Sequence, residues 1–78
     1  MGYRILIYSG NTRDEAAKAK SKAYRLLLKT NVYTNYQAPT FKVRAGDFVQ
    51  KIEAFLALKK LEPAFPQAVI VPEIVNLR

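Results

Sequence analysis

Apolar and polar residues alternate along Tyr3-Arg4-Ile5-Leu6-Ile7-Tyr8, and from Thr12 onward the spacing lengthens to that of a helix. A switch from a period of two to about 3.6 marks a strand that feeds a helix. The same switch recurs at Phe41-Lys42-Val43-Arg44-Ala45, which leads into Gln50-Lys51-Ile52-Glu53-Ala54 at an offset of 38 residues. Across that offset aromatic falls on aromatic, base on base, aliphatic on aliphatic and Glu-Ala on Glu-Ala. The chain therefore reads as two copies of one unit.

In the first unit a strand is predicted over Tyr3 to Tyr8, ended by the turn residues Ser9-Gly10-Asn11. Thr12 with Glu15 has the form of a capping box. The helix that follows should run to about Lys29 and bury Ala16, Ala19, Ala23 with Tyr24, and Leu27. Asn31 to Tyr36 is rich in β-branched and aromatic residues and predicts a second strand, broken by Ala38-Pro39. In the second unit a strand over Thr40 to Ala45 turns at Gly46-Asp47. A helix starting between Phe48 and Gln50 should carry Ala54, Phe55, Leu58 and Leu61 inward, with Asp47 as its cap and Glu62-Pro63 as its end. Ala68 to Val71 predicts a last strand closed by Pro72, and residues 73–78 carry no clear pattern.

The order β-α-β-β-α-β predicts an α+β, ferredoxin-like fold built from two βαβ pseudo-repeats. Both helices should cover one face of a four-stranded antiparallel sheet and leave the other face open. All 78 residues are expected to form a single domain, with strands two and three as hairpin partners. The purely apolar sets, Tyr3-Ile5-Ile7 and Phe41-Val43-Ala45, must face the helices. The open face is then expected to show Arg4, Leu6, Tyr8, Lys42 and Arg44, with Ile70 from the last strand. The second strand adds either Tyr33 with Asn35 or Val32 with Thr34. Such a face could stack flat rings and aliphatic groups on a sugar or base, and pair its cations with anionic oxygens. An ordinary solvated sheet face would show the same alternation.

Composition narrows the choice. Thirteen Lys and Arg against six Asp and Glu give a formal net charge of +7, which favours an anionic partner. No cysteine and no histidine occur, so there is neither a thiolate nor an imidazole to act as base or metal ligand. A domain this small buries only about 60% of its unfolded surface, which favours a shallow surface site over a deep catalytic one. No apolar run approaches the roughly 20 residues needed to span a bilayer. Met1-Gly2 leads straight into a strand, so membrane attachment and targeting are expected only from segments outside this chain.

Catalysis is not expected. Glu15 and Glu53 sit at matching helix starts, where negative charge suits the helix dipole, and Asp14 and Asp47 belong to the adjoining turns. No nucleophile–base pair, metal cluster or phosphate loop can be assembled, and neither cofactor nor metal is implied.

These residues resemble the SPOR (sporulation-related repeat) domain family. The likeness is carried by Phe41-Lys42-Val43-Arg44-Ala45-Gly46-Asp47-Phe48 followed by Glu53-Ala54 and Leu58-Lys59-Lys60-Leu61. Phe65-Pro66-Gln67-Ala68 leading into Val69-Ile70-Val71-Pro72 is similar to the family's last strand, especially in Bacteroidetes-type envelope proteins. Tyr3-Arg4-Ile5 with Ser9-Gly10-Asn11 is similar to its first unit, so the likeness spans nearly the whole chain.

The resemblance implies a non-catalytic module of the bacterial periplasm or cell envelope. It would bind peptidoglycan glycan strands lacking stem peptides, often at the division septum. Removing the stem peptide frees the lactyl carboxylate of muramic acid, which Arg4, Lys42 and Arg44 would pair with, while Leu6, Tyr8 and Ile70 lie against sugar rings. The family commonly places a glutamine where this chain has Leu6, and keeps the serine found here as Ser9. An aromatic that some members use before strand three is Thr40 here, a role left to Phe41 and Tyr33.

Two other classes share the architecture. RNA-recognition domains use the same element order and the same face, with rings on strands one and three stacking on bases. Here the outward residues of strand three are Lys42 and Arg44 with no ring between them, so nucleic acid is the less favoured partner. A protein-interaction domain using the same face is the third reading.

Overall fold

The computed structural model describes residues 1–27 and 30–74. Six elements follow in the order β1 (Gly2–Gly10), α1 (Arg13–Leu26), β2 (Val32–Gln37), β3 (Thr40–Phe48), α2 (Lys51–Leu61) and β4 (Val69–Glu73). The strands form one antiparallel sheet in the order β2-β3-β1-β4. This is the expected ferredoxin-like βαββαβ arrangement. Each βαβ unit is split, because β3 lies between β1 and β2 while β1 lies between β3 and β4.

The core lies between the sheet and the helices. Ile5, Ile7, Val43 and Ala45 project from the two central strands against Ala16, Ala19 and Ala23 of α1 and Ala57 and Leu61 of α2. Alanines on the inner helix faces let both helices approach the sheet closely. Ile5, Leu61 and Val43 are the largest fully buried side chains, each stabilising the fold by about 2 kcal/mol.

Several local expectations change. β1 and β3 run longer than their apolar alternation indicated, because both pass through a β-bulge. In β3 the bulge falls at Gly46-Asp47, which is not a turn: Ile5 pairs with Ala45, but Tyr3 pairs with Phe48. Gly46 takes φ +90°, and the Phe48 ring lies where a Cβ on residue 46 would stand. In β1 a second bulge falls at Ile7: Leu6 pairs with Arg44, but Tyr8 pairs with Val43.

Thr12 makes no capping bond to α1; its hydroxyl meets Asn11 instead. Asp47 does not cap α2. Gln50 is the N-cap residue, and its backbone amide donates to Glu53 Oε1 at 3.2 Å. Phe55 points outward, and Ala57 takes the inward place. β4 continues through Pro72 to Glu73, which an edge strand permits. The expected last turn of the first helix, to Lys29, and the tail beyond residue 74 lie outside the described residues.

Candidate functional site

Residues directly opposite one another in an antiparallel sheet share a face, so the pairing register shows what the uncovered side carries. One row across the sheet holds Tyr33, Arg44, Leu6 and Val69, in the order β2, β3, β1, β4. The next row toward the β2–β3 hairpin holds Asn35, Lys42 and Ser9. Gln37 and Thr40 pair beyond it. Toward the other end lie Arg4 beside Val71, then Asp47 and Glu73.

Of the expected site residues, Arg4, Leu6, Ser9, Tyr33, Lys42 and Arg44 share this face. Tyr8 and Ile70 do not. The bulge at Ile7 adds one residue to β1, so Tyr8 comes opposite Val43 and turns to the helix side, where its hydroxyl lies near Glu15 at 3.5 Å. The same bulge brings Ser9 opposite Lys42. Ile70 pairs with Ile5 and packs on the core, leaving Val69 and Val71 on the open side. For the second strand, Tyr33 and Asn35 are outward, while Val32 is buried.

Two residues that chain order alone did not assign complete the face. Had β3 run without its bulge, Asp47 would stand opposite Tyr3 on the helix side. The added residue sends Phe48 inward and Asp47 outward to Arg4. Glu73 reaches the same place because β4 passes through Pro72, keeping Val69, Val71 and Glu73 on one side. Their alternation was the available signal for Glu73, and for Asp47 it was the preceding Gly46, since an isolated glycine within a strand pattern marks a bulge.

These carboxylates tie up two of the three outward cations. Arg4 donates to Asp47 Oδ1 through Nη2 at 2.9 Å and through Nε at 3.2 Å, and to Glu73 Oε1 through Nη1 at 2.8 Å. Arg44 Nη1 donates to Glu73 Oε2 at 2.6 Å. Tyr33 Oη and Asn31 Nδ2 both donate to Asp47 Oδ2, and the Arg4 guanidinium lies 4.3 Å from the Tyr33 ring centre. The side chains of Arg4, Asp47 and Glu73 are only 12%, 12% and 16% exposed. Burial opposes both charges at the centre of this cluster, but the bonds outweigh it. Hydrogen bonds from Tyr33, Arg4 and Asn31 and the Arg4 charge hold the Asp47 carboxyl below the usual carboxylate range. Bonds to Asp47 and Glu73 likewise hold Arg4 above its ordinary value.

The open face thus divides in two. One half, from Arg44 to Glu73, is closed by its own ion pairs. The other half carries Leu6 and Val69 as an apolar strip beside Lys42, Ser9, Asn35, Gln37 and Thr40. Lys42 makes no salt bridge among the described residues. Much of the chain's positive charge lies elsewhere, on α1 at Arg13, Lys18, Lys20, Lys22 and Arg25. No family model, curated protein or solved structure matches the chain.

Proposed function

We propose that this chain is a non-catalytic module of the bacterial envelope that binds peptidoglycan glycan strands, in the form stripped of stem peptides, on the hairpin half of its open sheet face. The observation that carries this reading is the composition of that half. An uncovered apolar strip, Leu6 and Val69, adjoins hydroxyl and amide groups on Ser9, Thr40, Asn35 and Gln37, with Lys42 among them. Apolar side chains can lie against the carbon face of a pyranose ring. The hydroxyls and amides can exchange hydrogen bonds with its substituents. Lys42 can meet a lactyl carboxylate. The two carboxylates that would repel an anionic strand are neutralised by Arg4 and Arg44.

The resemblance to SPOR domains supports the same ligand, and with it a role in cell division or envelope organisation. The expected ligand set is revised accordingly. Lys42 takes the electrostatic role alone, because Arg4 and Arg44 already have partners. Asn35, Gln37 and Thr40 supply polar contacts in place of the family's glutamine at the position of Leu6. Val69 replaces Ile70 in the apolar strip.

Co-sedimentation with purified sacculi tests the reading. Binding should rise when amidase has removed the stem peptides, and Lys42→Ala should weaken it about tenfold, the worth of one charge-assisted contact. Equal binding to treated and untreated sacculi would overturn the specificity for stripped strands. Salt-sensitive binding to single-stranded RNA, with none to sacculi, would overturn the glycan reading altogether. The register disfavours that outcome, since Tyr8 and Phe41 both lie opposite helix-side partners and β1 and β3 offer no ring to a stacked base.

A further inference from the structure

Helix α2 is apolar on both sides. Ala54, Ala57 and Leu61 bury its inner face against the sheet, yet Ile52, Phe55 and Leu56 on its outer face remain 57%, 44% and 59% exposed. Its flanks are charged, but an uncovered apolar stripe rimmed by polar residues marks a contact surface. Val49, just before the helix, adds to the uncovered patch, and Lys59 lies over the Phe55 ring at 5.0 Å.

The charges beside this stripe indicate what covers it. Lys51 and Glu62 are eleven residues apart, close to three helical turns, so they lie on one flank. Glu53 and Lys60 are seven apart, close to two turns, and lie on the other flank. When a second α2 is laid antiparallel across the first, each flank meets its own copy in reverse. Lys51 then falls opposite Glu62 of the other copy on one side, and Glu53 opposite Lys60 on the other. Both pairings arise in one register, which also brings the two apolar stripes together. These four flank charges are self-complementary, as an interface with two-fold symmetry requires; Glu62, which lies 3.8 Å from Lys59 of its own helix, would be shared between that lysine and Lys51 of the other copy.

We propose that the outer face of α2 pairs with a second copy of this chain in an antiparallel, two-fold dimer. The helices lie on the side of the sheet away from Leu6 and Lys42, so the open faces stay uncovered, and the proposal does not depend on what they bind.

Sedimentation velocity over a concentration series tests it on the whole chain. The expected result is a species of twice the 8.9 kDa chain mass that grows with concentration. Leu56→Ser should return it to monomer while leaving the circular dichroism melt of the dilute chain in place. Lys51→Glu sets a carboxylate against the other copy's carboxylate at Glu62, and Glu62→Lys sets an ammonium against the other copy's ammonium at Lys51. Each should weaken self-association about tenfold, and an equimolar mixture of the two should recover it. A glutamate suits the first turn of the helix and a lysine its end, and the exposed 3.8 Å contact of Glu62 with Lys59 that Glu62→Lys gives up is worth little. A chain that stays monomeric to its solubility limit would overturn the proposal. So would a dimer indifferent to all three substitutions. Monomers that float with phosphatidylglycerol vesicles, and lose that binding in Leu56→Ser, would assign the patch to an anionic lipid surface instead.

Discussion

Asp47 is the residue on which the closed half of the sheet face depends. It accepts bonds from Arg4, Tyr33 and Asn31, drawing together β1, β2 and β3. Asp47→Asn would keep the shape but remove the charge that balances Arg4, and should cost about 2 kcal/mol in urea denaturation at pH 7. The pH dependence has a definite sign. The folded carboxyl titrates below its unfolded value, so its contribution is present above about pH 4 and is lost as the pH falls through the lowered folded value. Measured at pH 7 and again near pH 2, the stability gap between wild type and Asp47→Asn should therefore narrow in acid. A gap of constant size would mean that the cost lies in packing rather than in charge.

At the scale of elements, the two bulges set what each face shows. A bulge adds one residue to one strand and so reverses the outward set beyond it. Gly46 makes the β3 bulge possible, since its left-handed φ and the Phe48 ring above it both exclude a side chain. Gly46→Ala should lower stability by about 2 kcal/mol and weaken the Arg4–Asp47 pairing. The second effect is visible as a further loss that is smaller than additive when Gly46→Ala is combined with Asp47→Asn. The two faces of α2 offer a contrast on one helix. Leu61→Ala, at a fully buried site, should cost about 2–5 kcal/mol, whereas Leu56→Ser on the outer face should change a thermal melt of the dilute chain by no more than about 0.5 kcal/mol.

For the whole molecule, the fold sets two surfaces back to back. The sheet presents its open face on one side, and α2 presents its apolar ridge on the other. Binding through the first and pairing through the second are sterically independent, so a dimer would display two open faces. If each grips a glycan strand, retention on sacculi should exceed that of the Leu56→Ser variant, because the second contact is made at a high effective concentration. Equal retention of both proteins at concentrations where the wild type is dimeric would show that the strands are not bridged.

The order of the elements, the ferredoxin-like architecture and the inward role of Ile5, Ile7, Val43 and Ala45 could all be read from the sequence, because each follows from periodicity within a few neighbouring residues. So could the outward placement of Arg4, Leu6, Lys42 and Arg44. The inward turn of Tyr8 could not, because the β1 bulge falls at Ile7, with no glycine to mark it, and shows only in the pairing with β3. Ile70 was ambiguous for a related reason: a continuously apolar strand has no alternation to show which side faces the core. The cations of the open face were legible as residues, but not their state. Arg4 meets Glu73 across 69 positions of chain, and only the assembled sheet brings that pair together. The same assembly leaves Lys42, beside Leu6, as the open-face cation without a salt bridge among the described residues. Local pattern determined which elements form and which sides they bury, while the pairing of distant strands decided which charges cancel and which remain available to a ligand.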